Sequence, residues 1–171
     1  KLTTTIIPTS IKPLIFKRKS FYIKRMIREI QNRHEENIRC EEHCNIKETR
    51  GGIRDIEAVA LMMKVFNGSK RAIDQKFFKH NMKKYPRLKT ELQILHDTDY
   101  LLRTIRNLYR ITEAAEDEIQ RDQLKSLSEL MYKSSTKKIL SKDIYKEIKS
   151  SLKSSTTAVV KVMKYLEKKL D

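Results

Sequence analysis

One stretch of the chain combines glycines and charged residues in a pattern that could bind an anion. Residues 47–57 read Lys-Glu-Thr-Arg-Gly-Gly-Ile-Arg-Asp-Ile-Glu, and they hold two of the three glycines among 171 residues. The pair Gly51-Gly52 allows the backbone to turn tightly and to approach another surface, because glycine has no Cβ. The N–H groups of the helix predicted to follow could then face an anion. The alternative is an ordinary helix start within a bundle, which needs no ligand.

A second group of residues could bind a metal ion. Cys40, His43 and Cys44 are spaced so that they could share one face of a helix, and His34 could supply a fourth ligand. Structural zinc sites usually use two well-separated pairs of ligands, however, and the chain has only 2 cysteines. We therefore expect these residues to lie in an exposed linker, and we predict no metal site.

The segment 47–57 resembles the Lys-x-x-x-Gly-Gly-Ile-Arg-(Asp/Glu)-Ile-Glu signature of the glutamine synthetase adenylyltransferases. A looser version occurs in the related uridylyltransferases that modify the PII signalling protein. Residues 12–18, followed by 27–30, resemble the part that joins the family's catalytic core to its helical domain. Residues 100–108 resemble the family's helix with a tyrosine, a hydrophobic pair and an arginine. The resemblance covers roughly residues 11–133 and fades after Lys133.

The resemblance implies a helical domain that packs on a nucleotidyltransferase core and assists the binding of the nucleotide or of the target protein. Lys47 and Arg54 would face the triphosphate or the acidic cleft of the core, and Asp55 and Glu57 would orient those cations or cap the helix. Salt bridges within the bundle are the alternative for these charges. The candidate residues for nucleotide binding or core docking are Lys47, Gly51, Gly52, Arg54, Asp55 and Glu57.

The resemblance also implies partners for the parent enzyme. Mg²⁺ with ATP or UTP would be its cofactors, glutamine synthetase or the PII protein its target, and nitrogen regulation its process. The family's core uses a Gly-Ser turn and two aspartates, one residue apart on a strand, that hold Mg²⁺. Here Gly68-Ser69 and Asp97-Thr98-Asp99 lie far apart, and the aspartates fall in a helical pattern. We therefore predict that the chain itself contributes no catalytic residue.

Hydrophobic periodicity predicts an all-α bundle of about six helices. Only 3 glycines and 3 prolines occur, which is typical of a mostly helical protein. Residues 1–19 are expected to be an extended N-terminal linker, and residues 20–171 a single helical domain. The last helix is long and nearly in heptad register, and its Ser/Thr-rich stretch 150–157 is expected to weaken or kink it. The predicted helices span about 20–38, 53–67, 70–80, 92–111, 124–131 and 141–170.

The net charge of +16 leaves other functions open. A basic surface could bind nucleic acid with an affinity that falls as salt rises, or attract an acidic protein or a nucleotide. Evenly spread lysines also mark ordinary solvated helix faces. A third hypothesis is a protein-interaction module that pairs through the heptad-like last helix. The chain has no long apolar run, so we expect no membrane partner. Its 2 cysteines give no disulfide framework, so a cytoplasmic location is the default expectation. The chain lacks an initiator methionine, which suggests a start partway along a longer product.

Overall fold

The computed structural model describes residues 17–36, 43–69, 71–112, 117–120, 124 and 141–170, and they form a helical bundle. A 3₁₀ turn, Pro86–Leu88, joins the third helix to the fourth. Two short strands, β1 (His43–Asn45) and β2 (Glu118–Gln120), pair in antiparallel fashion with Cys44 opposite Ile119. The helices are α1 (Lys19–Glu36), α2 (Ile53–Phe66), α3 (Gln75–Lys84), α4 (Lys89–Thr112) and α5 (Ser141–Lys168).

The all-α class and the long last helix are confirmed, with differences in detail. The described residues contain five helices rather than about six, because the predicted helix 124–131 lies outside them except for Leu124. The third helix begins later than predicted. The side chain of Asp74 accepts a hydrogen bond from the Lys76 amide at 3.0 Å, and this cap sets the start of α3. Residues 1–16 lie outside the described part, so the predicted linker stays a prediction.

The core consists of two clusters, and α5 runs through both. The first lies among α1, α2, α3, the first half of α4 and the second half of α5. The second lies between the strand pair, the second half of α4 and the first half of α5. In α5 the buried positions of the second cluster are Ile144, Tyr145, Ile148 and Leu152, and those of the first are Ala158, Val159, Val162, Met163 and Leu166.

The burial of α5 argues against the hypothesis that the chain pairs with a partner through this helix. Its heptad-like face packs on the other helices and on the strand pair of the same chain. The helix is continuous over 28 residues, including the Ser/Thr-rich stretch 150–157.

No helix in the described part of the chain is both long enough and apolar enough to cross a membrane.

Candidate functional site

The glycine pair forms a tight turn that packs against α5. Gly51 has φ +74°, a left-handed conformation that favours glycine. A Cβ at Gly51 would lie 2.6 Å from the backbone nitrogen of Thr156, and a Cβ at Gly52 would lie 2.6 Å from the carbonyl oxygen of Ile46. Gly51 is therefore needed for the contact between the turn and α5, and Gly52 for the closure of the loop on itself.

The amides at the start of α2 are bonded to the loop that precedes them. The Ile53 N–H donates to the carbonyl of Ile46 at 3.1 Å, and the Arg54 N–H donates to that of Lys47 at 3.1 Å. The Gly52 N–H donates to the carbonyl of Thr49 at 2.7 Å. Because these donors are occupied, the helix start does not offer free amides to an anion, and the alternative of an ordinary helix start describes it.

Asp55 is buried and joins three parts of the fold. Its carboxylate accepts hydrogen bonds from the Gly51 amide at 2.9 Å and from the Arg33 guanidinium at 2.6 Å, and His34 Nε2 lies 2.5 Å from it. Burial raises the pKa of Asp55, but the bonds from His34, Gly51 and Arg33 outweigh this and hold the pKa below its ordinary value. Asp55 therefore ties α1 to the glycine turn, and it does not orient Lys47 or Arg54.

The two cations of the motif lie at the surface beside carboxylates. Arg54, whose side chain is 55% exposed, donates to both oxygens of Glu48 at 2.8 and 2.9 Å. This hydrogen bond and the Glu48 charge raise the pKa of Arg54. The Lys47 side chain is 42% exposed, and its Nζ lies 3.8 Å from Asp117 Oδ2.

Asp117 also binds two arginines from α4. Arg106 donates to both of its carboxylate oxygens, and Arg110 donates to Oδ1 at 2.9 Å. Burial raises the pKa of Asp117, but the hydrogen bond and charge of Arg106, together with Arg110 and Lys47, bring it below its ordinary value. We call Lys47, Arg54, Arg106 and Arg110 the basic loop surface.

Glu57 forms its hydrogen bond with α4. It accepts a hydrogen bond from Arg103 at 2.8 Å, and Arg103 also donates to both oxygens of Asp99 at 2.8 and 2.9 Å. Glu57 thus forms a salt bridge within the bundle, which was the alternative for these charges, and its negative charge also helps to raise the pKa of Arg54. Asp97 is bonded to Gln93 and His96 of α4, whereas Asp99 is bonded to Arg103.

The cysteine–histidine group takes a different form from the linker that we expected. Cys44 is fully buried on β1, in the second core cluster, so the expectation of exposure is wrong for it. His34 contacts Asp55 instead of a metal partner. Cys40 lies outside the described residues. Among the described residues, no group of three or more histidine, cysteine or carboxylate side chains is placed to hold a metal ion.

The sequence did not reveal the roles of four residues that shape this site, Arg33, Arg106, Arg110 and Asp117, and it suggested a metal-binding role for a fifth, His34. One of them carried a signal, since Arg106 lies in the segment 100–108 that resembles the family. Arg110 follows it at i+4, the spacing of neighbours on one helix face. Asp117 stands in a stretch without periodicity, and nothing in the sequence marked it.

The comparison with known families covers most of the chain. The family model for the GlnD PII-uridylyltransferase matches residues 22–163. The chain belongs to this family. It is a helical domain related to nucleotidyltransferases, and the match extends from α1 into α5. The family domain thus includes the helix on which the glycine turn packs, and it extends further than the resemblance to residue 133. No curated protein and no solved structure matches the chain.

Proposed function

We propose that the chain is the non-catalytic helical part of a nucleotidyltransferase of the adenylyltransferase or uridylyltransferase type. In this proposal it docks on the catalytic core through residues 45–57. The observation that supports the proposal is the placement of the motif's cations: the side chains of Lys47 and Arg54 are 42% and 55% exposed, while the backbone between them is bonded internally. A fixed loop that presents cations costs little ordering entropy on docking.

The basic loop surface supports an anionic counterpart on the core. Within the described residues its four cations share the two carboxylates of Glu48 and Asp117. The excess positive charge would stabilise the phosphates of ATP or UTP, or the carboxylates that line a Mg²⁺-binding cleft. Mg²⁺ and the transferred nucleotide would be held by the core, and Lys47 and Arg54 would contribute charge at its edge. Asp55 would act indirectly, because it fixes the glycine turn.

Reconstitution tests the proposal. The chain is mixed with a separately produced catalytic core of a PII uridylyltransferase or a glutamine synthetase adenylyltransferase, and transfer to the PII protein or to glutamine synthetase is measured. We expect the chain to raise the activity of one of these cores. Arg54→Ala should lower this increase in transfer activity by about tenfold, since a hydrogen bond to a charged group contributes about 1.5–3 kcal/mol.

The matched control is Arg25→Ala. Arg25 is also exposed and paired with a glutamate, Glu29 at 3.1 Å, but it lies on α1 outside the loop. Arg25→Ala should leave the increase in transfer activity unchanged. If Arg25→Ala and Arg54→Ala had equal effects, the chain would act through its total charge and not through this loop. If neither Arg54→Ala nor Lys47→Ala changed the transfer rate, the docking role would be lost.

A further inference from the structure

A groove of about 900 Å³ opens between α2, α3 and α4. Glu57 and Leu61 of α2 form one wall, and Phe78 of α3 forms part of another. Tyr100 and Arg103 of α4 line the third side. Lys47 and Arg54 do not line the groove, so it is separate from the basic loop surface.

The groove gathers exposed apolar side chains. Leu61 is 44% exposed, Ile73 is 42% exposed and Tyr100 is 62% exposed, and all three line it. They are three of the five large hydrophobic residues that are exposed in the described part of the chain. Apolar side chains gathered in a concave surface are typical of a binding site, because burying them stabilises a complex by about 25 cal/mol per Å².

The charge of the groove is opposite to that of the chain. Four carboxylates line it against two permanent cations, Lys79 and Arg103, whereas the whole chain carries +16. Arg103 is already bonded to two of these carboxylates. The four carboxylates are those of Glu57, Asp74, Asp97 and Asp99.

Two of the carboxylates are placed to meet a cation from outside. Asp74 is exposed, and its carboxylate accepts one hydrogen bond from the Lys76 amide at the start of α3. The Asp97 side chain is 62% exposed and is bonded to Gln93 and His96 of its own helix. We call Leu61, Ile73, Asp74, Asp97 and Tyr100 the acidic groove.

We propose that the acidic groove docks a basic amphipathic segment of a partner protein. Apolar side chains of the segment would pack on Leu61, Ile73 and Tyr100, and its lysines or arginines would meet Asp74 and Asp97. A nucleic acid does not fit, because its phosphates would face this excess of carboxylates. A second copy of the chain is disfavoured, because the charge of +16 on each copy opposes association.

Fluorescence anisotropy with a labelled synthetic peptide tests the proposal. The peptide has about four helical turns, with leucine on one face and lysine on the other. One control peptide has glutamate in place of lysine, and a second keeps the lysines but has serine in place of leucine. We expect saturable binding of the leucine–lysine peptide alone. Equal binding of the serine peptide would overturn the apolar part of the proposal, and equal binding of the glutamate peptide would overturn the electrostatic part.

Variants locate the binding on the protein. Tyr100→Ala should weaken the binding of the peptide by at least about fivefold, since aromatic residues often contribute most of the binding energy at such contacts. Phe21→Ala is its matched control, because Phe21 is an exposed aromatic residue on a helix (60% against 62%) that lies outside the groove. The double variant Asp74→Asn/Asp97→Asn should weaken binding similarly, and asparagine still caps a helix, so α3 should be retained.

Three results would overturn the proposal. They are no binding of any peptide, an equal loss with Phe21→Ala, and wild-type affinity in both groove variants. Light scattering provides a further test, because it measures the oligomeric state. A dimer or larger assembly that Tyr100→Ala dissolves would assign the groove to a second copy of the chain instead. The basic loop surface is intact in all of these variants, so their failure leaves the core-docking proposal standing.

Discussion

Gly51 lies directly against the backbone of Thr156. A Cβ on Gly51 would come within 2.6 Å of both the nitrogen and the hydroxyl oxygen of Thr156, a separation that side chains do not adopt. The Thr156 hydroxyl donates to the carbonyl of Leu152 at 2.8 Å, so it is bonded within its own helix. The Ser/Thr-rich stretch of α5 thus provides a small-residue surface on which the glycine turn rests.

Gly51→Ala should destabilise the protein far more than Gly68→Ala. Both glycines have positive φ, +74° and +61°, so both variants carry the strain of a left-handed alanine, about 1–2 kcal/mol. Of the two, Gly51 alone has a close neighbour, because nothing in the described part of the chain lies within 4 Å of a Cβ on Gly68. We expect the free energy of unfolding to fall by about 3 kcal/mol for Gly51→Ala and by about 1 kcal/mol for Gly68→Ala.

Urea unfolding followed by circular dichroism measures both values. Equal losses in the two variants would contradict the contact between Gly51 and α5, since only the shared backbone strain would then remain. A larger loss for Gly68→Ala would contradict the assignment of its surroundings as open.

Asp55→Asn should be strongly destabilising. The substitution keeps the shape of the side chain but removes the charge that Arg33 and His34 face. Breaking a buried charged pair typically costs about 3–5 kcal/mol. Asp97→Asn is the control, because Asp97 is largely exposed and should change the free energy of unfolding by less than about 0.5 kcal/mol. Similar losses for the two variants would refute the structural role of Asp55.

The same carboxylate predicts how stability depends on pH. The pKa of Asp55 is lower in the folded chain than its ordinary value. Its stabilising contribution is therefore complete above the unfolded-state pKa of about 3.9 and is lost as the pH falls through the lower folded-state pKa. Unfolding measured from about pH 6 to about pH 3 should show a steeper loss for the wild type than for Asp55→Asn. Parallel curves would show that this carboxylate does not govern the acid response.

Asp117→Asn should destabilise the protein in a salt-dependent way. The carboxylate is shared by Lys47, Arg106 and Arg110, and without its charge these cations repel one another. We expect a loss of about 1–2 kcal/mol at low ionic strength, which should shrink as added salt screens the repulsion. Thermal unfolding at low and high salt measures this. A loss that is independent of salt would indicate that only the hydrogen bonds matter.

The sequence predicted the helices well and the tertiary contacts poorly. The periodic apolar residues of α1, α2, α4 and α5 placed these helices within a few residues, because burial of one face fixes the pattern. The strands β1 and β2 were missed. Each has three residues, and they pair across more than seventy positions, so neither has a local pattern that could be read.

The candidate site was predictable in its position but not in its contacts. The rarity of glycine marked the turn at Gly51-Gly52, and the turn lies where the motif predicts it. The role of Asp55 depends on Arg33, which is 22 positions away, and a buried carboxylate in a charged motif cannot be told from an exposed one by sequence. The same holds for Arg106 and Asp117, which meet Lys47 only in the folded chain.

Ser155→Ala should stabilise the protein. Ser155 is fully buried in α5, and its hydroxyl oxygen has no hydrogen-bond partner among the residues that the structure describes. An unsatisfied buried hydroxyl costs about 1–3 kcal/mol, and alanine also has the higher helix propensity. Ser154→Ala is the matched control, because Ser154 precedes Ser155 in the same helix and is exposed. The stability change of Ser154→Ala therefore measures the difference in helix propensity between serine and alanine alone. We expect Ser155→Ala to raise the free energy of unfolding by about 1 kcal/mol more than Ser154→Ala does. A loss of stability in Ser155→Ala would show instead that the hydroxyl is bonded in solution.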